Sequence, residues 1–329
     1  MKAVTSEQFQ DFLQGLAAQY DVRVPIALAD GTRTLGGLGE GPLALRGGAI
    51  PGKPTSIFFP QFETELTYRQ GEIQIQQPPA KPLLAVGFTA QDLDCLEFID
   101  CFFSENFRDD VYFNKRDGAV VVGLSGRCGP DGEFLKIAGG KCDFELVCDG
   151  QRFLVVPYTA TGKRLCQTIA NGAEGSLDAL REESDALSTD FADLVQRASQ
   201  LINQEKVPEE FWQQIGDRCI ACTACNLACP TCTCFDVYDW KCGRVPSGWV
   251  ERQRLWDSCQ LGGFMREASG HNPLGTEALR TRRRIHHKLA ADPQRWGVIT
   301  CFLCGRCDKV CPTGIGMEAV AAEIVRRFG

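Results

Sequence analysis

Apolar residues recur at helical spacing over Ser6–Tyr20, where Phe9, Phe12, Leu13, Leu16 and Tyr20 share one face, so an amphipathic helix is predicted there. Val22–Ala29 reads as a strand, and the Gly- and Pro-rich stretch Asp30–Gly52 as loop. Ser56–Tyr68, Leu83–Phe88 and Ala119–Leu124 read as strands, the last two as short apolar runs suited to a buried sheet. Asp92–Phe103 has the helical set Leu93, Leu96 and Ile99. Phe144–Cys148 and Phe153–Pro157 flank Asp149-Gly150, a pair that favours a type I′ hairpin turn. Leu177–Asn203 is helical but dense in Asp and Glu, and is expected to be a solvated helical linker. Glu277–Leu289 and Gly316–Phe328 have helical composition. The pattern predicts an α+β protein: a mixed α/β domain over residues 1–170, a helical linker over 171–216, and a mostly helical domain over 217–329.

Composition narrows the class. At 329 residues, 44% hydrophobic and 23% charged, the chain suits a globular protein of two or three domains. No apolar run reaches the length of a membrane span, and the start of the chain lacks the apolar core of a secretory signal. A net charge of −7 argues against nucleic-acid binding, which needs a basic footprint. Of the 18 cysteines, 12 lie between Cys219 and Cys311. In a long chain without a signal peptide, such crowding favours metal binding in a reducing cytoplasm over disulfides.

Two runs account for most of these cysteines. The first is Cys219-Ile-Ala-Cys222-Thr-Ala-Cys225-Asn-Leu-Ala-Cys229-Pro230, and the second is Cys301-Phe-Leu-Cys304-Gly-Arg-Cys307-Asp-Lys-Val-Cys311-Pro312. Both follow the C-x2-C-x2-C-x3-C-P spacing of two-cluster ferredoxins. Three thiolates at that interval wrap one cuboidal cluster, while the fourth ligates the other cluster. The expected sets are therefore Cys219, Cys222, Cys225 and Cys311 for one 4Fe–4S cluster, and Cys301, Cys304, Cys307 and Cys229 for the second. Structural zinc is the main alternative, but zinc sites stop at four ligands. Cys232, Cys234 and Cys259 are candidates for an extra site. The simpler reading makes them, and Cys242, small buried apolar residues beside the clusters, while the scattered Cys95, Cys101, Cys128, Cys142, Cys148 and Cys166 of the N-terminal domain read as structural.

The C-terminal run resembles the iron–sulfur (beta) subunits of cytoplasmic sulfhydrogenases and anaerobic sulfite reductases. The resemblance is carried by Cys229-Pro-Thr-Cys232-Thr-Cys234, Trp256-Asp257-Ser258-Cys259-Gln260, Gly270-His271-Asn272-Pro273, the basic stretch Arg282–Lys288 and the closing Cys301–Pro312 motif. Weaker likeness extends through Ala90-Gln91-Asp92, Asp110–Tyr112 and Pro157–Gly162. The resemblance implies a relay of electrons between a flavoprotein subunit using NAD(P) and a catalytic partner: a nickel–iron hydrogenase, a sulfite reductase or a heterodisulfide-reductase-like unit. It also implies further cysteines for an N-terminal cluster, at the places held here by Gln91, Gly126 and Glu133–Leu135. Only Cys128 and Cys142 are at hand, so two clusters are expected and not three.

Two features remain open at this level. The basic run Arg282, Arg283, Arg284, His286, His287 and Lys288 is a solvated helix face, a counter-charge for anionic clusters or a docking patch for an acidic partner. The glycines from Gly36 to Gly41 lack the strand-to-helix context of a dinucleotide fingerprint. No acid–base constellation can be assigned by spacing. A self-contained iron–sulfur reductase that binds substrate in its N-terminal domain is the alternative to a relay subunit.

Overall fold

The computed structural model describes residues 1–169, 172–243 and 248–329, with Cys242 described for its backbone alone. Its strands are β1 (Lys2–Val4), β2 (Asp21–Ala27), β3 (Arg33–Gly37), β4 (Phe62–Arg69), β5 (Glu72–Ile75), β6 (Leu83–Phe88), β7 (Val120–Gly126), β8 (Phe144–Cys148), β9 (Phe153–Pro157), β10 (Ala173–Glu174), β11 (Phe235–Cys242) and β12 (Trp249–Trp256). The described residues form two units, 1–59 with 77–187, and 60–76 with 188–329. The expected boundary at residues 170 and 171 lies outside the described residues.

The first unit is a mixed α/β layer structure around an eight-stranded sheet of order β10-β1-β9-β8-β7-β6-β2-β3. Strands β2, β6, β7 and β8 run parallel, and β3, β9, β1 and β10 add antiparallel edges. Every residue of β6 and β7 is buried, as expected for strands covered on both faces. The helix Ser6–Leu16 starts at a Thr5/Gln8 capping box and lays Phe9, Phe12 and Leu13 on the sheet, where Phe9 meets Phe144 edge-on at 6.5 Å. The stretch expected to be loop over Asp30–Gly52 contains β3, because Arg33–Gly37 pairs with β2 despite two glycines. The Asp149-Gly150 turn is not type I′. Cys148 pairs with Phe153, leaving a four-residue loop, and Asp149 Oδ1 accepts from the amides of Gln151 and Arg152, both at 2.7 Å. An Asx-type side chain thus closes the turn in place of two left-handed residues.

The second unit combines helices with a four-stranded antiparallel sheet of order β11-β12-β4-β5. The expectation of a mostly helical C-terminal domain therefore needs correction. Two of these strands come from the segment between the cysteine motifs, and two from residues 62–75. The strand expected over Ser56–Tyr68 begins only at Phe62, since Pro54–Ile57 forms a 3-10 turn. On this sheet Arg254, 1% exposed, donates to Glu63 Oε1 at 2.7 Å.

The expected solvated linker also divides. Asp178–Asp185 belongs to the first unit, with Leu177 and Leu180 against Val147 and Leu154. Asp190–Asn203 places Val195, Ala198, Leu201 and Ile202 in the core of the second unit, beside Trp212, Ile285, Leu289 and Ile324. The acidic residues that suggested a spacer occupy the outer face. The helix Glu277–His286 runs into a π turn at His287–Ala291. Pro293 has no N–H to offer the carbonyl four residues back, that of Leu289. Ser199 Oγ and Asn203 Nδ2 donate to that carbonyl instead, at 2.5 and 3.2 Å.

Candidate iron–sulfur centre

The two cysteine motifs adopt the same backbone path. Ala221 and Thr223 in the first have φ of 51° and 64°, and Leu303 and Gly305 at the same places in the second have 61° and 67°. Left-handed conformation at two positions of each loop is unfavourable for residues with a Cβ and occurs where function over-determines the chain. Each loop then enters a one-turn helix, Ala224–Ala228 and Arg306–Val310. Each helix ends on its fourth cysteine in extended conformation, at φ −78° for Cys229 and −80° for Cys311.

This curl gathers thiols. Cys219, Cys222 and Cys225 line one cavity together with Cys311 of the other motif, beside Gln260, Thr281, Arg284, Thr313 and Ile315. The fourth member thus sits with the three thiols of the partner loop. Cys229 is close enough to Cys301 and Cys307 to raise both their pKa values, though burial is the larger cause, taking Cys301 to about 12. Backbone amides point at the sulfurs, from Ala221 to Cys219, from Ile315 to Cys311 and from Met317 to Cys307, each at 3.4 Å. Soft thiol donors, exposed amides and an apolar wall are the chemistry that thiolate-ligated iron needs. The residues present therefore fit the group, and such clusters, when bound, supply one-electron redox capacity.

Both motifs continue Cys-Pro-Thr, and the threonine is a feature that spacing alone did not single out. Thr231 Oγ1 lies 3.4 Å from Cys229 Sγ, and Thr313 Oγ1 lies 3.5 Å from Cys311 Sγ. The repeat of the tripeptide was the available signal. Thr231 Oγ1 also accepts from Lys288 Nζ at 2.6 Å and donates to Thr300 O at 2.9 Å.

Of the three extra cysteines, one pairs with a motif cysteine and the other two with each other. Cys232 hydrogen-bonds Cys229, which lowers the pKa of Cys229 and raises that of Cys232. Cys234 hydrogen-bonds Cys259, and Asn226 Nδ2 donates to Cys259 Sγ at 3.1 Å. The bond from Cys234 leads the causes that bring the Cys259 thiol down to about 6, against its burial. In the first unit Cys95, Cys128, Cys142, Cys148 and Cys166 are buried and Cys101 is exposed. Burial pushes the thiols of Cys128, Cys142 and Cys166 up to about 12, which makes them poor thiolates.

The basic run splits by direction. Arg282 pairs with Glu209 at 2.6 Å and Arg283 is exposed, whereas Arg284 and Lys288 are buried. His271 is exposed, and it is Asn272 that locks its turn, donating to Gly262 O at 2.6 Å and accepting from Leu274 N at 3.0 Å. In the first unit an open cleft of about 450 Å³ is lined by Glu97, Asp100, Arg116, Lys141 and Asp143, among others. Its charges are engaged with one another, Arg116 with Asp100 at 2.9 Å and Lys141 with Glu97 at 3.0 Å.

Residues 218–315 match the 4Fe-4S dicluster domain family. The chain is 27% identical to the sulfhydrogenase 2 subunit beta of Pyrococcus furiosus, over 72% of each chain. No solved structure matches it. The dicluster match indicates two 4Fe–4S clusters and an electron-transfer role. No helix among the described residues is long and apolar enough to cross a membrane.

Proposed function

We propose that this chain, a member of the iron–sulfur beta-subunit family, is the electron relay of a multi-subunit cytoplasmic oxidoreductase. It takes electrons from, or gives them to, a flavoprotein subunit that uses NAD(P). On the other side it serves a catalytic redox subunit, foremost a nickel–iron hydrogenase, with a sulfite reductase or heterodisulfide-reductase-like unit as the other outcomes. The chemistry of substrate conversion belongs to those partners.

The observation that carries this reading is the cavity shared by Cys219, Cys222, Cys225 and Cys311. Four thiols drawn from two distant motifs support crossed ligand sets, the second being Cys301, Cys304, Cys307 and Cys229. Crossing keeps two clusters adjacent, which suits electron transfer between them. Purification of the native complex tests the role. Co-purification with a flavoprotein and a hydrogenase-type subunit, and about 8 iron atoms per chain, is expected. A chain that purifies alone and turns over a substrate overturns it.

A further inference from the structure

The helix Glu277–His286 and the turn after it bury a row of cations. Arg280, Arg284 and Lys288 are four residues apart, on one face, and are 5%, 4% and 6% exposed. Burying a cation without an anion is expensive, so each should have a counter-charge. Arg280 has Glu277. Lys288 has the Thr231 hydroxyl at 2.6 Å and Asp292 nearby. Arg284 differs. Among the described residues it has no carboxylate partner, its Nε, like that of Arg280, has no hydrogen-bond acceptor, and its one hydrogen bond to an oxygen is to Ile315 O at 3.5 Å. It lines the cavity of Cys219, Cys222, Cys225 and Cys311. It also lies within electrostatic reach of Cys229 and Cys307, thiols of the other expected set. Lys288 is hydrogen-bonded to Thr231 beside Cys229, lies within electrostatic reach of Cys301 and does not line the cavity of Cys219, so it faces the Cys301 set alone.

We propose that Arg284 and Lys288 are positioning residues for electron transfer: fixed buried cations that raise cluster reduction potentials, Arg284 acting on both clusters and Lys288 on the cluster of the Cys301 loop. The inference rests on the relay reading above. Reduction adds negative charge to a thiolate-ligated cluster, and local charge is one of the factors that set its potential. A cation held beside the thiols stabilises the reduced state more than the oxidised one.

The test is a potentiometric titration of the full chain followed by electron paramagnetic resonance, with iron counted first. Wild type should bind about 8 iron atoms; a lower count sinks the relay reading, independently of the potentials. Arg284→Gln should weaken reduction of both clusters about tenfold, a fall of roughly 59 mV in each one-electron step. Arg284→Lys should keep both steps near wild type. Lys288→Gln should lower one step and leave the other. If Arg284→Gln fails to assemble clusters, the one-step shift of Lys288→Gln carries the test. Unchanged potentials in cluster-loaded Gln variants, or equal shifts in Arg284→Gln and Arg284→Lys, overturn the proposal.

Discussion

Cys311 lines the cavity of the other motif's loop, which makes its sulfur the place to test the proposed crossing. On the crossed ligand sets, Cys311→Ser removes a ligand from the cluster of the Cys219 loop while the Cys301 loop keeps all four of its own. Iron content should fall by up to about four atoms per chain. The surviving resonance signal should be lost only when a serine is also placed at Cys229, Cys301, Cys304 or Cys307. A Cys311→Ser protein whose surviving signal vanishes with Cys222→Ser and persists with Cys304→Ser contradicts the crossing. His286 offers a second test. Its ring meets Trp212 edge-on at 5.3 Å, and burial, with Arg282 and Arg283 adding to it, depresses its pKa from 6.5 to about 4. The unfolded chain therefore binds a proton that the folded chain refuses between those values, and stability falls as pH drops from 6.5 towards 4. His286→Gln should lose less of its thermal midpoint than wild type between about pH 7 and 5. The cysteine intervals are legible in the sequence because cluster geometry demands them. The left-handed turns at Ala221, Thr223 and Leu303 are not, since only Gly305 carries a residue that favours that conformation. Arg284 and Lys288 were readable as a basic run, but their burial was not, because charge normally marks a solvated face.

Between elements, two helices of the second unit meet closely at Gly216. A Cβ there would lie 2.4 Å from the Ala278 Cα, so the helices Glu209–Arg218 and Glu277–His286 touch through backbone. Gly216→Ala forces the backbones apart and should cost about 1–3 kcal/mol, read from the urea midpoint of the cluster-loaded chain. Glu63→Gln removes the nearer of two carboxylate partners of Arg254 on the four-stranded sheet, Glu65 staying 3.4 Å from its Nε. Its expected cost, read from the urea midpoint, is below the about 3–5 kcal/mol of a buried charge left with no partner, because Glu65 still faces the guanidinium. Helix existence over Asp190–Asn203 was legible, but its role was not. The period of Val195, Ala198, Leu201 and Ile202 is short, and the acidic residues around it masked a core-facing stripe. Strands β6, β8 and β9 were read with their observed limits, since continuous β-branched and aromatic runs bounded by turn residues leave little choice.

For the whole chain, the division that sequence composition could not reveal is the placement of residues 60–76 with 188–329. Composition shifts mark linkers, but nothing local records which distant strand will pair with which. β4 joins β12 from Val250↔Tyr68 to Leu255↔Phe62, a partnership fixed only in three dimensions. A fragment of residues 188–329 should therefore be poorly soluble and iron-poor, because β12 becomes a bare edge and Arg254 loses Glu63. Supplying residues 60–76 in fusion should restore solubility. An isolated fragment that loads iron as the full chain does would refute this dependence.

The same pairing sets an order of events during synthesis. Chains emerge from the ribosome amino end first and fold largely in that order. The β4–β5 hairpin is made long before β12 exists, so the β4 edge that takes β12 waits unpaired until Trp249–Trp256 emerges. Cys301 and Cys311 follow later still. On the proposed crossed ligand sets, neither cluster has its four thiols until the Cys301–Cys311 motif has been made, so iron loading waits on the same late segment for both clusters.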